Sequence, residues 1–97
     1  MIIKHAEAAT NTMAVTFSLP TWIWADTVHL VGDFNDWNPH ASPLTPDEEN
    51  WHVTLELPRG CRYQYRYLLD GCRWCNDCNA ECYVKNVLGG QDSVVET

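Results

Sequence analysis

Basic residues are scarce in this chain: six Lys and Arg stand against thirteen Asp and Glu, for a formal net charge of −7. Nucleic-acid binding relies on clustered Lys and Arg that release counterions from phosphate, and no such cluster occurs. An anionic membrane surface would repel the chain in the same way. Long apolar runs are missing too. Nothing approaches the length of a transmembrane helix, and the start Met1-Ile2-Ile3-Lys4-His5 soon turns polar and has no secretory pattern. The expectation is a cytoplasmic protein. Helical periodicity is almost absent. The four histidines, at positions 5, 29, 40 and 52, pair with no Ser or Cys at triad spacing, and no Gly-rich phosphate loop occurs. A glycosidase needs two carboxylates about 5–10 Å apart across a cleft. Asp33, Asp36, Asp47, Glu48 and Glu49 instead fall in turns and in a polar loop, where solvated surface is their expected role. An enzyme is not expected.

What the chain has in plenty is aromatic and alternating. Ninety-seven residues make one domain, 1–97, in which residues 1–12 form an N-terminal segment outside the clear patterning. A chain of this size buries roughly 65% of its unfolded surface, enough for a thin core and a flat or grooved face. Five Trp and four Tyr exceed what such a core can absorb, so some of the rings should be exposed. Met13 to Leu19 alternates, with Met13, Val15, Phe17 and Leu19 on one face, and Pro20 ends it. Thr27 to Val31 reads as a short buried strand, and Gly32 to Pro39 as a loop. Trp51, Val53, Leu55 and Leu57 alternate inward, which makes Trp51 structural. Past the Pro58-Arg59-Gly60 turn, Tyr63, Tyr65, Tyr67 and Leu69 share one face, with Arg62, Gln64, Arg66 and Leu68 on the other. Asp70-Gly71 marks a hairpin. A short strand near Cys72 to Trp74, a polar loop over 75–82, a pairing at Tyr83-Val84, a bend at Gly89-Gly90 and a last strand from Ser93 to Glu96 complete the chain. The fold class is all-β, a sandwich of about seven short antiparallel strands.

Three stretches carry a resemblance: Val28-His29-Leu30-Val31-Gly32-Asp33-Phe34-Asn35-Asp36-Trp37, Leu57-Pro58-Arg59-Gly60, and Tyr63-Gln64-Tyr65-Arg66-Tyr67-Leu68-Leu69-Asp70-Gly71. Together they resemble the early-set, immunoglobulin-like carbohydrate-binding modules found ahead of the catalytic barrel of isoamylases and glycogen-branching enzymes. The glycogen-binding domain of the AMP-activated protein kinase β subunit is of the same type. Further along, Trp74, Asn76-Asp77, Ala80, Tyr83-Val84, Asn86, Gly89-Gly90 and Ser93-Val94-Val95 are similar to short standalone bacterial members. The resemblance implies noncatalytic binding of α-glucan, with no cofactor required. It carries sugar contact to Trp37, Arg66, Trp74, Leu88 and Asp92, where the family uses two Trp, a basic residue, a Leu and an Asn. An indole can pack against the C–H-rich face of glucose, and the Arg66 fork can donate several hydrogen bonds. Asp92 departs from the pattern, since it accepts only, whereas Asn both donates and accepts. The partners implied are α-glucan and enzymes of glycogen or starch metabolism.

The cysteines are this chain's own addition. Cys72, Cys75, Cys78 and Cys82 form C-x₂-C-x₂-C-x₃-C, and Cys61 stands apart. Four thiolates at this spacing could hold Zn²⁺ or, as in ferredoxins, an Fe–S cluster; Zn²⁺ is the gentler fit beside Trp74. Disulfides within the loop or between copies compete with the metal. Two further functions therefore stand beside glucan binding. One is a self-assembling homo-oligomer joined through cysteines and the Trp22–Trp24 stretch, and the other is a small metal-binding protein on the same fold.

Overall fold

The computed structural model describes residues 2–6, 11–21, 25–77, 80–86 and 90–97. Their regular elements are strands, with one 3-10 turn at Asp33–Asn35. The strands are β1 (Ile2–Ala6), β2 (Thr12–Pro20), β3 (Val28–Gly32), β4 (Thr45–Pro46), β5 (Asn50–Pro58), β6 (Arg62–Leu69), β7 (Arg73–Cys75), β8 (Cys82–Lys85) and β9 (Gln91–Glu96). They form two antiparallel sheets, β1-β2-β5-β4 and β3-β6-β9-β8, and β7 pairs with β6 beyond the end of β9. This is a β-sandwich, the class that the alternating residues point to.

Register follows the hydrophobic pattern. Across β2 and β5 the partners are Met13 with Leu57, Val15 with Leu55, Phe17 with Val53, and Leu19 with Trp51. The two inward stripes thus lie side by side. On the outer face Thr16 and Thr54 share a hydrogen bond of 2.8 Å between their hydroxyls. The opposite sheet contributes Val28, Leu30, Tyr65, Tyr67, Leu69 and Val95 to the same core, and Trp51 packs against it partly buried. Each fully buried side chain of this size contributes roughly 1.5–3 kcal/mol.

Three features were not apparent from the pattern. β1 lies in the N-terminal segment and forms one edge of its sheet. Its Lys4 shares the inner face with Val15, and its Nζ reaches over to the Glu96 carbonyl at 2.9 Å and Glu81 Oε1 at 2.5 Å. β4 is a two-residue strand within the loop after Leu44. The third is Asp77, in the stretch expected to be a polar loop, which is wholly buried. Its carboxylate accepts the Tyr65 hydroxyl at 2.9 Å and the Tyr67 hydroxyl at 3.3 Å. Burial, reinforced by the Asp77 charge, pushes both phenols well above their usual range, so they stay protonated and donating. The Asp77 N–H donates to Ser93 Oγ at 2.9 Å, and the Tyr83 hydroxyl donates to the Asp77 carbonyl. A polar knot therefore ties the chain after β7 to β6, β8 and β9.

Gly32 ends β3 where the chain must pass close to β6. A Cβ there would lie 2.5 Å from the Gln64 carbonyl oxygen, 2.8 Å from Tyr65 Cβ and 2.9 Å from Phe34 Cζ. Two of these atoms are fixed by the strand backbone and cannot yield. Gly32→Ala should cost about 1–3 kcal/mol of stability, read as a lower urea midpoint at unchanged slope. An unaltered midpoint would show the contact to be soft.

Candidate functional site

The outer face of β6 carries Arg62, Gln64, Arg66 and Leu68, because its other face is spent on the buried tyrosines. Pairing places Val31 beside Arg66 and His29 beside Leu68 on one flank. On the other flank Trp74 lies beside Leu68, and Val94 beside Gln64. Val31, Leu68 and Val94 are buried although they point outward, which requires cover from the larger side chains and loops around them. Trp74 is the exception: it is large, apolar and 50% exposed.

Trp37 is presented by the loop that leaves β3, and each residue of Gly32-Asp33-Phe34-Asn35-Asp36-Trp37 has a task there. Phe34 turns inward, with its ring 5.5 Å from that of Phe17 and 5.7 Å from that of Tyr63. Asn35 accepts from the Gly32 N–H at 3.0 Å and donates to the Leu30 carbonyl at 2.8 Å. Asp36 and Trp37 both have φ near +56°, a left-handed conformation uncommon for such residues. Strain of this kind persists only where the surroundings fix it. Here the Trp37 N–H donates to the Gly32 carbonyl at 2.9 Å and its indole Nε1–H to Asp33 Oδ1 at 2.8 Å. The other Asp33 oxygen accepts the Gln64 N–H at 2.8 Å, just past the point where β3 stops pairing. The half-buried indole is thus tethered at the Gln64 end of the face. Trp74 marks the Leu68 end, four residues along β6 and about 13 Å away at the usual strand rise.

Arg66 lies between these two points. Its Nε donates to Asp92 Oδ1 at 2.7 Å, with Arg66 22% exposed and Asp92 only 8%. The Asn86 amide donates to the same oxygen at 3.2 Å, and its own oxygen accepts the Gly90 N–H at 3.1 Å. A Cβ on Gly90 would come within 3.1 Å of Arg66 Nη2, so the bare glycine leaves space for the guanidinium. Asp92 is therefore a buried anchor for Arg66, where the sequence reading had it facing the sugar directly. Leu88 lies outside the described residues, as do Trp22 and Trp24. Asn86 and Asp77 were not singled out as site residues. Both lie in the stretches that carry the resemblance, without a sugar contact being implied for either.

Trp74 owes its placement to the turn before it. Asp70 and Gly71 have φ of 54° and 71°, the pair of left-handed residues that an Asp-Gly hairpin supplies. Asp70 Oδ1 accepts the N–H groups of Asp26 at 2.6 Å and Thr27 at 3.1 Å, and Oδ2 accepts Arg73 Nη2 at 3.1 Å. Those backbone donors, of Thr27 first and Asp26 second, hold the carboxyl below its ordinary range, with Arg73 adding to them.

Among the described residues the cysteines do not converge on one point. Cys75 pairs with Tyr67 and turns toward the core, whereas Cys82 pairs with Val94 on the outer face. There Cys82 Sγ accepts from Arg62 Nη2 at 3.3 Å. Cys72 is exposed in the hairpin turn, and Cys78 lies outside the described residues. Among the described residues no three His, Cys, Asp or Glu side chains come together as a metal site. Among the described residues, no disulfide joins Cys61, Cys72, Cys75 and Cys82 to one another.

Comparison with known protein families gives a match to carbohydrate-binding module 48, the isoamylase N-terminal domain, over residues 8–76. The matched stretch runs from just before β2 to the residue after β7, and so contains Trp37, Arg66 and Trp74.

The Asp70 anchor makes a prediction about acid. Its folded carboxyl is more acidic than in the unfolded chain, so its contribution is present above the unfolded value of about 4 and is lost as pH falls through the lower folded value. Asp70→Asn should melt below the parent at pH 7, and the two melting temperatures should converge as pH drops below about 4. A constant gap across that titration would sink the assignment.

Proposed function

Because the chain belongs to carbohydrate-binding module family 48, the isoamylase N-terminal domain family, we propose that it binds α-glucan of the glycogen and starch kind on the Trp37–Arg66–Trp74 face. Carbohydrate binding comes with the family, and a module of this family is a noncatalytic domain. The half-exposed indole of Trp74 carries the finer reading. An apolar ring of that size on a rigid sheet leaves its face to water, and a glucose ring can cover it while the sugar hydroxyls stay hydrated. Trp37 offers a second ring whose polar edge is already satisfied by Asp33, so its attachment does not depend on ligand. Arg66 lies between the two on β6, its guanidinium oriented by Asp92, and supplies donors for hydroxyls of the intervening sugars.

Preorganisation supports this reading. The Trp37 indole is held by a bond within the protein, so little of its side-chain freedom remains to be lost on binding, and Trp74 stands on a strand whose backbone is paired with β6. The loop strain at Asp36 and Trp37 has the same meaning: a conformation that is costly for folding is kept where it presents a ring.

Two substitutions test the proposal. Trp74→Ala should weaken maltoheptaose binding at least tenfold, about 1.4 kcal/mol, with melting temperature within a few degrees of the parent, since the ring is half in solvent. Trp37→Ala should weaken binding similarly. Titration followed by tryptophan fluorescence, and migration in gels containing glycogen, give the readout. If both variants are retarded by glycogen as strongly as the parent, the face is not the site.

A further inference from the structure

Every described arginine on β6 and β7 is matched to a carboxylate. Arg66 meets Asp92 at 2.7 Å, Arg73 meets Asp70 at 3.1 Å, and Arg62 lies 3.8 Å from Glu96. The Arg66 pair differs from the other two in burial. Arg62, Arg73 and Glu96 are more than half exposed, and Asp70 is 32% exposed, whereas the Asp92 side chain keeps 8% of its surface and is held in place by Asn86. A shielded pair is screened by solvent far less than an exposed one. The cation at the centre of the face is thereby offset by a fixed internal anion.

We infer that Asp92 makes this face selective for uncharged glucan over phosphorylated or otherwise anionic polysaccharide; the inference rests on the glucan-binding reading above. An unpaired arginine in that position would attract phosphate or carboxylate through bidentate, charge-assisted bonds. With Asp92 on its Nε, the guanidinium still offers N–H donors to neutral hydroxyls, while its net charge toward an incoming anion is cancelled. The anion must also approach a chain of net charge −7, whose field repels it. Neutral hydroxyls experience neither effect. Asp92 therefore acts through Arg66 as a specificity-determining residue without touching sugar.

The test compares maltoheptaose with phosphorylated maltoheptaose by calorimetry on the full chain at pH 7. The native protein should prefer the neutral sugar by roughly fivefold or more at low salt, and added salt should narrow the gap without altering neutral binding. Asp92→Asn keeps the shape and the acceptor oxygen facing Arg66 and Asn86 but removes the charge. It should raise affinity for the phosphorylated sugar relative to the neutral one by roughly fivefold at low salt. Adding Arg66→Gln to that variant should abolish the gain. Equal or better native binding of the phosphorylated sugar overturns the inference, as does an unchanged preference in folded Asp92→Asn. Should that variant fail to fold, the native preference and its salt dependence decide. Native protein that binds neither sugar overturns the glucan reading itself, whereas equal binding of both overturns only the selectivity.

Discussion

Strand β6 lies between β3 and β9, and its side-chain alternation organises the molecule. One face sends Tyr63, Tyr65, Tyr67 and Leu69 toward the opposite sheet, and the other lines up Gln64, Arg66 and Leu68 outward. A strand has a period of two, so a slip of one residue would exchange the two sets. It would place a guanidinium among Phe17, Leu30 and Val95 and leave the phenols in water. Register is held from both flanks, by β3 from Gly32 to Val28 and by β9 and β7 end to end on the other side. The Asp77 carboxylate adds a third constraint, because only the native register brings the Tyr65 and Tyr67 hydroxyls to one buried acceptor. Core and face are thus two readings of the same constraint.

That constraint explains why much of the fold was legible beforehand. The alternation of Met13–Leu19, Trp51–Leu57 and Arg62–Leu69 is strong because each strand has one buried face, and the observed registers keep those faces together. The loop motif was legible because nearly every residue in it has a single local task. What stayed hidden was long-range polar pairing. Asp77 sits in a stretch whose composition resembles solvated loop, and no period reveals that two tyrosines ten and twelve residues earlier need an acceptor. Resemblance alone points to Asp92, and as a sugar contact. Its burial against Arg66 depends on β9 pairing with β6 and on the amide of Asn86. β1 was missed because five residues beside an unpatterned stretch give too short a period to read.

Cysteine spacing carried a weaker signal than it first offered. A string of four thiols is evidence for a metal only if the backbone lets them face one point. In a strand, direction alternates, and β7 pairs with β6 whereas β8 pairs with β9. The pairing of Cys75 with Tyr67 and of Cys82 with Val94 sends those two sulfurs to opposite sides. For these two, spacing that would converge around a compact knuckle diverges on a sheet.

Lys4 gives the molecule a guarded margin. An uncovered outer strand offers a row of unpaired N–H and C=O groups to any passing chain, and an inward-pointing charge is one of the means by which natural sheets discourage that pairing. β1 and β8 are outer strands of separate sheets, and Lys4 spans from one to the Glu81 next to the other. A foreign strand adding there would have to displace an ammonium already engaged by a carboxylate and a carbonyl. Copies of the chain held close together would then meet at that margin without zipping their sheets into one.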